Sequence, residues 1–302
     1  MPSEKRTTPP PRYDIANVFP KMKKLARTTV RLHPRRGNVA DLHATKLGGK
    51  IAWPAKTPWP HCHEHDQPFI AALQISKADV PEFPFKTGTD LFQLLWCPSD
   101  ENEEAPHLLE LHWRESSADG PVLKKMPALE GERDSYPFLL DPCQLFPERV
   151  VEYPGFDELD ESLQAEINAW DLSADPLVQA NRADGRFPFT PGEELYRYEL
   201  SLASGTKIGG WPDWVQYPAW PTCDAGHAME HLLTVASMET FGEARWCPIE
   251  DRAKGAACKG DYKKLLTLNH QIGLDFGDGG NLSIFICRKC KTWPWKTDMQ
   301  CG

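Results

Sequence analysis

The stretch KLGGKIAWPAKTPWPHC, residues 46–62, returns without a gap as KIGGWPDWVQYPAWPTC, residues 207–223. Seven of the 17 paired positions are identical: Lys46, Gly48, Gly49, Trp53, Trp59, Pro60 and Cys62 meet Lys207, Gly209, Gly210, Trp214, Trp220, Pro221 and Cys223. Average composition would give roughly one identity. With one residue removed, Phe69-Ile70-Ala71-Ala72-Leu73-Gln74 falls on Met229-Glu230-His231-Leu232-Leu233-Thr234. Farther on, residues 91–97 can be laid on residues 281–287, each after a Gly turn and each ending in Cys. Two copies at this separation predict two pseudo-symmetric halves packed together. They do not predict an array, because solenoids need three or more short repeats.

The repeated unit has readable physical content. Paired glycines permit positive φ, or a close backbone approach where a Cβ would collide. A Pro-flanked Trp can plug the apolar base of a rigid turn while its indole N–H reaches a backbone carbonyl. The functional alternative is an exposed Trp platform for carbohydrate or peptide. The same two Trp in both copies favour plugging, since only one surface would need a platform.

Around the repeat, short apolar alternations mark strands. Thr28, Val30 and Leu32 alternate and stop at Pro34 and Gly37. Residues 91–97 (LFQLLWC) and 108–113 (LLELHW) read as neighbouring buried strands with an acidic loop, 99–104, between them. The clearest helix lies in 157–170, where Leu159, Leu163, Ile167 and Trp170 share one face, Asp160 can cap the start and Pro176 lies beyond the end. It reads as the connector of the two halves. Residues 196–203 alternate like a strand, and 281–287 (NLSIFIC) is an apolar strand after a hairpin turn, Gly277-Asp278-Gly279-Gly280. The expected fold class is α+β, mainly antiparallel. Its parts are a flexible basic arm at 1–26, a first repeat at 27–150, a helical connector at 151–194 and a second repeat at 195–302.

With 302 residues, 40% hydrophobic and 25% charged, the chain reads as globular and able to bury a core. No apolar run is long enough to cross a bilayer and no signal-peptide core opens the chain, so the expected location is the cytoplasm, with no membrane partner. Nine Cys, an odd number without an export signal, read as reduced thiols or metal ligands. The net charge of −9 hides an asymmetry, since residues 1–36 carry ten Lys or Arg against Glu4 and Asp14. A basic arm can hold phosphates. The plainer reading is a solvated tail that offsets an acidic body. Only Tyr13 and Phe19 could stack bases there, so nucleic acid is not an expected partner.

The strongest chemical signal is metal binding. Cys287-x-x-Cys290 closes a strand in the form of a zinc knuckle, and a hairpin can bring Cys223 beside Cys287. His227 or His231 would supply the fourth ligand. In the first half Cys62 and His65 form a Cys-x-x-His pair, and Cys97 is the repeat counterpart of Cys287. Position 100 is Asp, so His107 or His61 would complete that site. Soft thiolates with imidazole favour zinc or iron over magnesium. The structural alternative is that these Cys are small buried hydrophobes at strand ends. Cys143, Cys247, Cys258 and Cys301 have no spaced partner and default to structure.

Enzyme motifs are absent: there is no Gly-x-Ser-x-Gly elbow, no Walker loop and no dinucleotide fingerprint. Glu230-His231 as an acid–base pair fails on geometry, because neighbours in a strand face opposite ways. Cys62 beside three His could be an activated thiolate, but metal ligation explains the same residues more simply.

KLGGKIAWPAKTPWPHCHEH with FIAALQI, and KIGGWPDWVQYPAWPTC with MEHLLTVAS and GDGGNLSIFICRKC, resemble the signature of the YwqG family. RTTVRLHPRRG, LLWCP and PERVVEYP are similar to its actinobacterial members, so the resemblance runs from about Arg27 onward. Those members often carry a second Cys two positions after the first, where this chain has Ala225. The second unit also resembles the amino-terminal part of the programmed-cell-death-protein-two family, which is associated with chaperoning a small-subunit ribosomal protein. The YwqG family has no accepted activity, so the resemblance implies architecture alone. The functional expectation is a non-catalytic binding protein that recognises a protein partner, of chaperone, immunity or adaptor type, with structural zinc. The alternative is a metal-dependent hydrolase using the first-half Cys/His site.

Overall fold

The computed structural model describes residues 5–99, 108–117, 120–176, 178–179, 189–240, 245–258 and 262–301. In chain order the strands are β1 (Arg27–Arg31), β2 (Arg35–Arg36), β3 (Lys46–Leu47), β4 (His61–Cys62), β5 (Gln67–Pro68), β6 (Ile70–Ser76) and β7 (Leu91–Trp96). β8 (Leu109–Arg114), β9 (Cys143–Gln144), β10 (Glu148–Glu152), β11 (Lys207–Gly209), β12 (Glu230–Ala236), β13 (Asn281–Ile286) and β14 (Trp295–Gln300) follow. One six-stranded sheet runs β10-β1-β11-β12-β13-β14, a second runs β2-β9-β3-β6-β7-β8, and β4-β5 form a small ribbon. Every pairing is antiparallel. The fold is α+β and mainly antiparallel, as the short alternating segments implied.

The two repeated segments occupy matching places. Leu47 pairs with Leu73 and Ile208 with Leu233. A β-bulge falls between Ala71 and Leu73 in β6 and between His231 and Leu233 in β12. Gly48 and Gly49 have φ of 60° and 68°, and Gly209 and Gly210 have 65° and 71°. A side chain is strained at such φ, so both pairs serve the turn the sequence implied. The inward faces share one core: Val30, Ile208, Leu233, Val235, Leu282 and Ile284 of one sheet meet Leu47, Leu73, Ile75, Phe92, Leu94 and Trp96 of the other.

Sheet membership does not follow the repeat boundaries drawn from sequence. β1 and β10 pair with each other, and β1 pairs with β11 in the second repeat's sheet; β2 and β9 complete the first. The chain therefore crosses between sheets at 31–35 and again at 144–148. Cross-strand partners are chosen by tertiary packing, which a repeat read along the chain does not contain.

The arm expected to be flexible is packed from residue 5 onward. Asp14 caps α1 (Ile15–Val18), and Ile15, Phe19 and Met22 enter a second apolar cluster with Leu163, Ile167, Leu195 and Tyr196. Five of the ten cations in residues 1–36 are paired with carboxylates of the body. Arg12 pairs with Asp175 at 2.7 Å, Lys21 with Glu166 at 2.6 Å and Arg36 with Asp141 at 2.9 Å. Arg6 and Arg35 both reach Asp251.

The connector helix is real but shorter than the periodicity suggested. A 3-10 turn over Phe156–Glu158 leads into α2 (Glu161–Asn168), where the Asp160 carboxylate accepts the Leu163 amide at 2.9 Å. α3 (Pro191–Leu195) packs so closely on it that a Cβ on Gly192 would stand 1.9 Å from the Ile167 carbonyl oxygen. Residues 196–203, expected as a strand, instead begin with a π-helical turn, Tyr196–Leu200, that continues α3. Thr190 and Pro191 start that helix, and Tyr196 and Leu200, four apart, bury the same face. The alternation was a coincidence of aromatic spacing. Sequence reasoning also missed α4 (Ile249–Ala257), which buries none of its residues, and α5 (Tyr262–Asn269). The Gly277–Gly280 segment is a turn into β13, not a hairpin, because helix and coil precede it. No helix among the described residues is long and apolar enough to cross a membrane.

Three buried ionisable groups, Lys207, Glu152 and His231, lie on strands of the second repeat's sheet. Lys207 and Glu152, both fully buried, pair at 3.0 Å, and Glu152 also accepts the Ala203 and Trp211 amides at 2.7 and 2.5 Å. Lys207→Met leaves that carboxylate buried without its cation, which should cost about 3–5 kcal/mol. Urea unfolding measures this, and a loss within ~1 kcal/mol would show the pair to be dispensable. His231 contacts the Gly209 carbonyl at 2.9 Å and the Thr234 hydroxyl at 2.8 Å. Burial, with Lys207 adding to it, lowers its pKa to about 3. The unfolded imidazole therefore takes a proton first as pH falls. The stability His231 contributes is complete above pH ~6.5 and declines toward the folded pKa at about 1.4 kcal/mol per pH unit. Between pH 6 and 4, His231→Gln should flatten the pH slope of the unfolding free energy by about that amount.

Candidate metal centres

The turn at 223–227 forms because Gly226 accepts φ of 77° while the Cys223 amide bonds the His227 carbonyl at 2.9 Å. Thr222 and Ala228 bridge across its base. A second turn carries the chain from β13 to β14, closed by the Cys287 amide on the Pro294 carbonyl at 2.9 Å. Glu230 at the start of β12 lies opposite Ile286 at the end of β13, so both turns sit at one end of the sheet.

There Cys223, His227, Cys287 and Cys290 each offer one donor atom, all within 4.8 Å of one another. The Cys290 sulfur is 3.8 Å from that of Cys223 and 3.7 Å from that of Cys287. His227 Nδ1 lies 3.6, 3.6 and 3.5 Å from the sulfurs of Cys223, Cys287 and Cys290. A tetrahedron with zinc–sulfur bonds of about 2.3 Å and a zinc–nitrogen bond of about 2.0–2.1 Å has edges of about 3.8 Å between sulfurs and about 3.6 Å from sulfur to nitrogen. The donor set has those dimensions. Burial pushes the Cys223 thiol up, but the amides of His227 and Ala225 and the other two thiols outweigh it and bring it down to about 6. Burial and the neighbouring sulfurs push Cys290 up to about 11. Trp214 stacks on Phe285 behind the site, with ring planes 13° apart.

The first repeat builds a smaller version. Cys62 on β4, His65 in the turn to β5 and Cys97 after β7 converge, with His65 Nδ1 3.3 Å from each sulfur. Their three donors lie within 4.8 Å of one another. Burial, reinforced by the Cys62 thiol, pushes Cys97 up to about 11. His61 is not in the group; it is half-exposed and stands 3.9 Å from Asp66. Asp100 and His107 lie outside the described residues. His231, the other candidate for the second site, points instead at Gly209 and Thr234. Its neighbour Glu230 is exposed and pairs with Arg288 on the opposite face, which the strand alternation had implied.

The remaining cysteines join neither cluster. Cys143, whose thiol burial pushes up to about 12, donates to the Gln271 carbonyl at 3.3 Å. All nine cysteines are free. Trp53 and Trp59 act as plugs, their indoles donating to the Thr57 and Phe69 carbonyls at 3.0 and 2.8 Å. Trp220 departs from this and donates to the Glu158 carboxylate at 2.7 Å.

Two clefts, in matching places, escaped the sequence reading. The first, about 820 Å³, is lined by Lys46, Gly49, Trp59, Phe69 and Ala71 among others. The second, about 450 Å³, is lined by Gly210, Trp220, Met229 and His231. Lys46, 2% exposed, donates to the Asp41 carbonyl at 2.6 Å, and burial lowers its pKa to about 8. One signal was available: a Lys repeated at the head of an apolar strand in both copies.

Comparison with curated proteins gave no match. Residues 45–289, which hold the first Cys/His cluster and all of the second but Cys290, match a domain of unknown function, DUF1963. The match covers most of the chain, which therefore belongs to the DUF1963 family.

Proposed function

We propose that this protein is a non-catalytic binding protein that recognises a protein partner, and that Cys223, His227, Cys287 and Cys290 hold a structural zinc ion. The observation that carries the reading is the donor set: three thiols and one imidazole at tetrahedral edge lengths. Four protein ligands fill a zinc ion's coordination and leave no position for water or substrate, the pattern of a structural site. The ion would clamp two turns that have little apolar content of their own. Within the family we read the chain as YwqG-type, on the two KxGG-to-Cys units. The likeness of the second unit to the programmed-cell-death-protein-two family supports a chaperone, immunity or adaptor role. The basic amino-terminal segment is a poor docking element, since half of the ten cations in residues 1–36 are already paired with the body.

The second reading, a metal-dependent hydrolase, is favoured by the first cluster. Cys62, His65 and Cys97 supply three donors among the described residues, and three protein ligands with one open position is the catalytic pattern.

Elemental analysis of the purified protein should find zinc. Cys287→Ser should remove about one equivalent per chain and lower Tm by at least about 5 °C, on a scale of 2–4 °C per kcal/mol for large domains. Full retention of zinc in that variant would refute the site. Affinity capture under native conditions should recover one protein in stoichiometric amount, and Cys62→Ala should not create or abolish any turnover. Metal-dependent hydrolysis of an ester, phosphate or amide, lost in Cys62→Ala or His65→Ala without unfolding, would replace the binding reading with the hydrolase.

A further inference from the structure

The two repeats treat the same buried lysine differently. In the second, the Lys207 ammonium meets Glu152 at 3.0 and 3.3 Å. That carboxylate also accepts the Trp211 amide, four residues on, at 2.5 Å. It rests against Gly210, where a Cβ would stand 2.0 Å from its Oε1. Ammonium, amide and bare Cα make a cradle for an anion, and the chain fills it with its own carboxylate.

Lys46, Gly49 and Lys50 hold the corresponding positions in the first repeat. No carboxylate among the described residues forms an ion pair with Lys46, and only the more distant charge of Asp41 offsets part of its burial. The neighbour of Gly49 is the uncharged Pro142 ring, 3.4 Å from where a Cβ would stand. Lys46 has the Asp41 carbonyl but no ion-pair partner among the described residues. The Lys50 amide has no hydrogen-bond partner among them. A buried ammonium without a counter-charge is costly. Beside it Ala71 stands where the second cleft has His231, and the first cleft is correspondingly wider, at about 820 against 450 Å³. Its walls include Trp59, Phe69, Leu123 and Met126, with Lys50 and Lys124 also lining it. Clefts of roughly 300–1,000 Å³ with apolar walls and a few polar groups suit small ligands.

We propose that this cleft binds a small amphipathic carboxylate. The carboxylate lies against Lys46 and the Lys50 amide, as Glu152 lies against Lys207 and the Trp211 amide. The apolar body runs along Trp59, Phe69, Leu123 and Met126. This site is additional to the protein-partner reading and does not depend on it.

The test uses the full-length protein and displacement of a neutral fluorescent probe, phenylnaphthylamine, by dodecanoate or by dodecanol. Dodecanoate should displace the probe and dodecanol should compete far more weakly. Lys46→Met should weaken dodecanoate by at least about tenfold, the scale of one charged hydrogen bond, while binding of the neutral probe is unchanged. Ala71→Leu, which fills the cleft and touches no charge, should weaken probe and dodecanoate alike; it decides the matter even if Lys46→Met fails to fold. Equal competition by the acid and the alcohol overturns the proposal. So does dodecanoate affinity that neither substitution alters, or displacement only by a peptide ending in a free carboxylate.

Discussion

Two six-stranded sheets share a single hydrophobic core, and most other features follow from that sharing. The inward residues of β6 and β7 face those of β12 and β13, so neither sheet has another partner for its apolar side. The segments 27–36 and 143–152 are shared as well, each giving one strand to each sheet. A chain that crosses twice between its sheets cannot open one half without disturbing the other. This makes the repeats mechanically inseparable even though they read along the sequence as two units.

Burying both faces also buries what lies at their edges, including charge. Glu152 on β10 and Lys207 on β11 stand fully buried and meet across the intervening β1. Glu152 lies just beyond the first repeat, in the segment read as the connector, while Lys207 opens the repeated stretch 207–223 of the second. The pair thus ties the connector to the second repeat, and its remaining lone pairs are taken by the Ala203 and Trp211 amides. A buried ion pair survives desolvation only when its other hydrogen bonds are satisfied in this way. Lys46 has no such ion-pair partner among the described residues, and its ammonium donates to the Asp41 carbonyl instead.

The Cys/His clusters lie where the sheets end, each against a small apolar cluster separate from the main core. The turns at 223–227 and 287–294 are built from Gly, Lys, Arg and Asp with few apolar side chains. The proposed zinc would supply the cross-link that such turns cannot obtain from a core. The amino-terminal segment is fastened differently, by Phe19 and Met22 in an apolar cluster and by ion pairs along its length.

The sequence by itself determined the local pieces: the paired glycines and their positive φ, the strands β7, β8 and β13, the Asp160 cap, and the grouping of Cys223 with Cys287 and Cys290, with His227 and His231 left as alternatives. These are short-range matters of backbone sterics and of spacing across one hairpin. Tertiary structure decided the rest. The strand alternation at 196–203 yielded to a helix started by Thr190 and Pro191, because Tyr196 and Leu200 had a neighbouring helix face to fill. Charge and proline content made residues 1–26 look like a flexible arm, whereas Asp251, Asp175 and Glu166, all far away in sequence, pair with Arg6, Arg12 and Lys21 of it. Glu152 could not be assigned to Lys207, nor its absence noticed at Lys46. A pairing across 55 residues is fixed by which strands lie side by side, and strand order is set by burial of the whole core.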